Sequence, residues 1–98
     1  MLHDYVEQFL SYCKNAEYAA KSIEALTGRL NKFSGFVETL DVKHIAEVTY
    51  QHLLTFVSRF QDPSLEVKKS RIWTLHQFYH FLILGITLAI YQAQHYTK

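Results

Sequence analysis

One cysteine, one proline and three glycines in 98 residues leave little of what usually staples, bends or breaks a small domain. Cys13 has no partner for an intramolecular disulfide and cannot build a Cys-based zinc cluster, so burial must hold the fold. A reducing, cytoplasmic setting is expected on the same ground. The opening MLHDYVEQFL lacks a basic stretch followed by an apolar one, which excludes reading it as a secretory signal. The most apolar run, Phe81 to Tyr91, falls short of the ~18 residues of a spanning helix, so no membrane partner is expected. A net charge of +1 lacks the basic excess of a dedicated nucleic-acid binder, so only local charge placement can argue for one. There is no P-loop, no Gly-rich dinucleotide turn and no paired-carboxylate signature. Neither a cofactor nor an enzymatic activity is expected of this chain. What is present is apolar surface: 49% of the residues are hydrophobic, enough for a core in one domain spanning 1–98.

The apolar spacing is helical throughout, and no strand-period run competes with it. Leu2 to Asn15 places Leu2, Tyr5, Val6, Phe9 and Cys13 on one side of a first helix. Ser22 to Leu40 forms a second, with Ile23, Leu26, Leu30, Phe33 and Val37 inward. Leu40 to Val48 reads as an ordered connector. Thr49 caps a third helix whose Tyr50, Leu53, Leu54, Val57 and Phe60 form the inward face, ending at Gln61-Asp62-Pro63-Ser64. The fourth and longest pattern runs from Pro63 to Gly85, with Asp62 as its cap, Pro63 in its first position and Gly85 at its end. Leu65, Lys68, Ile72, Leu75, Tyr79, Leu82 and Ile86 share its expected core face. The fold expected is all-α, a compact orthogonal bundle of four main helices.

Two outer stripes carry the chemistry. On helix two, Lys21, Ala25, Gly28, Lys32 and Gly35 combine lysines with residues of almost no side chain. Each interior glycine costs about 1 kcal/mol against alanine, so two on one stripe suggest a close approach by a helix or a sugar-phosphate backbone, or else unselected drift on a solvated face. On helix four, Glu66, Ser70, Trp73, Gln77 and His80 lie opposite the expected core, with Lys68, Lys69 and Arg71 clustered in the first turns. Trp73 on a polar face suits a contact with DNA or a partner domain, or burial against a neighbouring helix. His76 and His80 have the i, i+4 spacing of two metal ligands but lack a third ligand and a general base, so no metal site is expected. Cys13 with His3 or His44 lacks any marked oxyanion donor. Neither short connection shows the Gly-containing turn of a helix-turn-helix reader.

Three segments carry a resemblance. AAKSIEALTGRLNKFSGFV has a Leu-x-x-Phe-x-x-Phe cadence at Leu30, Phe33 and Phe36; LDVKHIAEVTYQHLLTFVSRF has an apolar-Thr junction at Val48-Thr49; SLEVKKSRIWTLHQFYHFLILG is rich in aromatic core positions at Ile72, Leu75, Phe78, Tyr79 and Leu82. From about Tyr5 to Ile86 the chain resembles the N-terminal core-binding, or SAM-like, domain of phage-integrase-type tyrosine recombinases. Ala19 and Leu26 stand where that family usually has a capping Ser and a core Tyr, and the common Asn-Pro after the fourth helix is missing. The resemblance implies a non-catalytic bundle that forms half of a clamp on double-stranded DNA, with its second and fourth helices toward the major groove. By position it implies DNA contacts from Lys21, Ser22, Ala25 and Gly28, and from Lys68, Lys69, Ser70, Arg71, Trp73 and Gln77. It also implies two protein partners, a following catalytic domain and neighbouring recombinase protomers. Residues 87–98 would then be an exit segment toward the catalytic domain, with Tyr91 and Tyr96 not nucleophiles. A helical protein-interaction module, docking through Phe81 to Tyr91, is the alternative.

Overall fold

The computed structural model describes residues 2–96, with side chains through position 94. Four α-helices follow in order, α1 (Leu2–Asn15), α2 (Ala20–Glu38), α3 (Tyr50–Ser58) and α4 (Leu65–Tyr96), with a 3-10 turn at Ile45–Glu47 before α3. There is no strand among the described residues, so the fold is all-α as expected. Helix α4 is the hub, packing against each of the other three, while α1 also packs on α2. The core is mostly aromatic and leucine: Phe9, Leu26, Leu30, Phe33, Phe56 and Phe78 are fully buried. The rings of Phe9 and Phe78 meet edge to face at 5.8 Å, as do those of Phe33 and Phe56 at 5.1 Å. Each such pair adds roughly 0.5–1.5 kcal/mol to what burial contributes.

Local chemistry sets the helix ends. α1 stops where Glu17 enters the left-handed region at φ 62°, with Tyr18 N–H bonded to the Cys13 carbonyl and Glu17 N–H to that of Lys14. This is a Schellman closure with glutamate where glycine usually sits. α2 starts at Ala19 without a side-chain cap. Thr49 caps α3 as expected, accepting from the His52 backbone N–H at 3.2 Å while its own N–H donates to His52 Nδ1 at 3.0 Å.

Three expectations for α3 and α4 are corrected. Ser64, not Asp62, caps α4: its Oγ accepts from Val67 N–H at 3.3 Å, and Leu65 is the first helical residue. Gln61 and Asp62 lie at φ 59° and 49°, turning the chain between α3 and α4, whereas a capping residue needs extended backbone. Gly85 does not end α4, which runs on to Tyr96 without a positive-φ glycine. An isolated glycine only weakens a helix, and no proline or turn sequence supports a stop here. Of the exit segment expected over 87–98, residues 87–96 continue α4; positions 97 and 98 and the side chains of His95 and Tyr96 lie outside the described residues.

The third correction concerns faces. Arg71, Thr74, Leu75 and Phe78 are the buried residues of α4 among those described, while Leu65, Ile72 and Ile86, expected inside, are 65%, 56% and 62% exposed. The buried face is thus turned by about 80° from the apolar stripe, at 100° per residue. On α3, Phe56 is buried, and Tyr50 and Leu54, expected inward, are exposed. At ~1.5 Å per residue the 32 residues of α4 span about 48 Å, close to the 53 Å long axis of the molecule. Its Leu65–Gln94 stretch is long and apolar enough to cross a membrane by length and composition, with mean hydropathy 1.2 in an 18-residue window, 17% of it buried. That stretch exceeds the Phe81–Tyr91 run because α4 is one continuous helix from Leu65, so the apolar positions before Phe81 count with it. Its N-terminal half carries core residues, as a bundle helix does.

Candidate nucleic-acid interface

On α2, Lys21, Ser22, Gly28 and Lys32 are exposed and Ala25 is half-buried. A Cβ at Gly28 or Gly35 would meet nothing within 4 Å, so among the described residues none makes the close approach that the glycines allow. The surface is open. On α4, Ser70, Trp73 and Gln77 fall within about 60° of one another, a single outer strip at 100° per residue. Trp73 is 46% exposed, and Ser70 and Gln77 are half-buried.

The basic cluster at the start of α4 does not act as one. Lys68 lies about 160° around the helix from Ser70, on the far flank. Lys69 is exposed and sits 3.9 Å from Glu66, a surface pair of small energetic weight. Arg71 is buried at 4% exposure. Its Nη1 donates to the Phe56 carbonyl at 2.7 Å and to that of Phe60 at 2.8 Å, and its guanidinium lies 4.6 Å from the Phe56 ring centre. These carbonyls lie at and just beyond the C-terminal end of α3, where a helix leaves acceptors unpaired and its dipole favours a cation. Arg71 therefore closes α3 and is absent from the exposed surface expected to hold it. Burial pushes its pKa down from the usual guanidinium value.

The two outer strips meet where α2 and α4 pack. Arg29 Nη1 reaches the buried Thr74 Oγ1 across the helices in a long hydrogen bond of 3.5 Å. Beside it a cleft of about 260 Å³ is lined by Arg29, Lys32, Phe56, Val67, Ser70 and Arg71. Arg29 was not singled out from the sequence, although it follows Gly28 and lies three residues before Lys32. Its position between the outer stripe and the core face was the available signal. Asp4 and Glu7 project from the outer face of α1 and do not line this cleft.

Elsewhere the chemistry is sparse. His76 and His80 stack with ring centres 6.4 Å apart, and no group of three His, Cys, Asp or Glu side chains converges among the described residues. Cys13 is buried, and burial pushes its thiol pKa up, away from a reactive thiolate.

No curated protein and no solved structure matches the chain. Residues 6–84 match the family model of the phage integrase N-terminal SAM-like domain, a span covering all of α2 and α3 and the core of the bundle. Since that match takes in most of the 98 residues and the helices fold into the all-α bundle expected, the chain belongs to the family of phage integrase N-terminal SAM-like domains.

Proposed function

We propose that this domain is the non-catalytic DNA-binding part of a tyrosine site-specific recombinase and grips duplex DNA along the outer edges of α2 and α4. The family already implies a role in DNA integration. The observation that supports these edges is their junction: Lys32 on α2 and Ser70 on α4 line one cleft whose charged residues are all cationic, while Lys21, Ser22 and Gly28 stand open along α2 and Trp73 along α4. Cations neutralise phosphates, hydroxyl and amide groups reach backbone or base edges, and an uncovered glycine lets a backbone come close. In this reading Lys21, Ser22, Ala25, Gly28, Ser70, Trp73 and Gln77 contact DNA, and Lys68 and Lys69 add charge from the flank. The protein partners of that role are the recombinase's catalytic domain and neighbouring protomers, acting on DNA in the cytoplasm.

A protein-interaction module is the second reading, favoured by the exposure of Ile83, Leu84, Ile86, Leu88 and Ile90 along the C-terminal half of α4. Salt separates the two. Phosphate-driven binding weakens steeply with ionic strength, and two to three phosphate contacts give a log-affinity against log-salt slope of about −2 to −3. Titration of the chain with duplex DNA at low salt should change Trp73 emission and shift the amides of α2 and α4. Gly28→Ala should stabilise the fold by about 1 kcal/mol while weakening DNA binding. Emission and amide shifts that stay unmoved by duplex would sink the DNA reading.

A further inference from the structure

The cleft between α2, α3 and α4 concentrates positive charge with which no carboxylate among the described residues forms an ion pair. Arg29, Lys32 and Arg71 line it without a carboxylate, and the ion pairs of the described residues, His3 with Glu7 and Lys69 with Glu66, lie elsewhere. Its members are differently engaged. Arg71 has committed Nη1 to two α3 carbonyls, so it brings a fixed charge to the wall. Arg29 is aimed by Thr74, itself 2% exposed, through one of its five donors. Ser70 adds a hydroxyl, and Lys32 is exposed at the rim. Val67 belongs to the first turn of α4, the positive end of that helix dipole, while the opposite dipole end at the close of α3 is met by Arg71. At ~30 Å³ per water the 260 Å³ of the cleft equals about nine waters, room for a tetrahedral oxyanion and part of its hydration.

We propose that this cleft is a phosphate seat, and that its occupant is a backbone phosphate of duplex DNA held by Arg29, Lys32 and Ser70 in front of the buried charge of Arg71. The proposal rests on the DNA reading above and names the anchor of that interface. A phosphoryl group offers oxygens in several directions, which suits a guanidinium, an ammonium and a hydroxyl arriving from two helices; a planar carboxylate would satisfy only part of that set. The cleft also lies where both outer strips meet, so a duplex following them carries a phosphate over it.

The test compares Arg29→Gln/Lys32→Gln with Lys21→Gln and wild type in duplex binding across a salt series, with thermal melting as the check on folding. Loss of the seat should reduce the steepness of the salt slope by about one and weaken all sequences alike. If the double variant fails to fold, Lys32→Gln alone, at an exposed position, should show the same fall in slope. A parallel titration of wild type with inorganic phosphate should shift the Ser70 amide and the Arg29 side-chain N–H, and duplex should shift the same signals. A double variant with the wild-type slope, beside a Lys21→Gln variant that loses steepness, overturns the seat and leaves the DNA face standing. Cleft signals that answer inorganic phosphate but not duplex make this a small-anion site and overturn the DNA occupant. No duplex binding by wild type at low salt removes the functional reading and the seat with it.

Discussion

Replacing Arg71 by alanine separates a structural arginine from a phosphate contact. The side chain is 4% exposed, so its interactions escape the solvent screening that makes surface pairs weak. The substitution removes two hydrogen bonds from a charged donor, at 2.7 and 2.8 Å, and leaves the Phe56 and Phe60 carbonyls without it at the end of α3. Bonds to charged groups are worth about 1.5–3 kcal/mol each, and the contact with the Phe56 ring adds about 0.5–2 kcal/mol. Water entering the truncated site recovers part of that sum, so a net loss of about 3–5 kcal/mol is expected. A domain of this size has only about 5–15 kcal/mol in hand, so the variant should be severely weakened. Urea denaturation followed by far-UV circular dichroism measures it. Arg71→Lys keeps the charge but not the planar fork, and should recover about half of the loss. A change below about 0.5 kcal/mol for Arg71→Ala, the surface scale, would refute the capping role and return Arg71 to the candidate DNA contacts.

Three further outcomes follow from the same geometry. Glu17→Gly should stabilise by about 0.5–1 kcal/mol in thermal melting, because glycine takes the φ of 62° without the steric cost that glutamate bears. Ile72→Ala should cost under about 0.5 kcal/mol, while Phe78→Ala, at a fully buried site, should cost about 3–5 kcal/mol; comparable losses in chemical denaturation would mean that the faces of α4 are misassigned. The Tyr79 hydroxyl is buried without a hydrogen-bond partner among the described residues, and burial raises its pKa above the ordinary 10.0. The unfolded chain therefore ionises it first: its contribution to stability is complete below pH 10 and is lost as pH rises through the folded value. Tyr79→Phe should be neutral to about 1 kcal/mol stabilising at pH 7, and its advantage over wild type should widen above pH 10.

The helices that were legible in the sequence are those whose apolar stripe and buried face coincide. On α2, Ile23, Leu26, Leu30, Phe33 and Val37 alternate with short polar runs, and all but the half-buried Ile23 are buried. The α1 boundaries and the Thr49 cap were legible for the same reason, since short-range patterning decides both. The α3–α4 turn was not. Asp62-Pro63 has the chemistry of a cap and a first turn, but the two left-handed residues at Gln61 and Asp62 answer to the chain reversal, a tertiary demand. The candidate site was legible as two stripes, and their junction was not: Arg29 becomes a lining residue only once α4 brings Thr74 to it.

Helix α4 shows why apolar cadence alone misplaces a face. Two of its buried positions, Arg71 and Thr74, are polar because each answers a polar group on another helix, the α3 carbonyls and Arg29 respectively. A periodicity argument assigns such residues outside, since it prices a guanidinium without knowing that acceptors wait for it. Meanwhile Leu65, Ile72, Ile83, Ile86 and Ile90 form an apolar column that the bundle leaves exposed. Within one chain, burial explains the first set and not the second. Apolar side chains repeated along one side of a helix, densest here from Ile83 to Ile90, are the kind of surface that partners cover. The salt series therefore reads both faces of α4 in one experiment: contacts through the Ser70–Gln77 strip weaken as ions are added, and contacts through the isoleucine column do not.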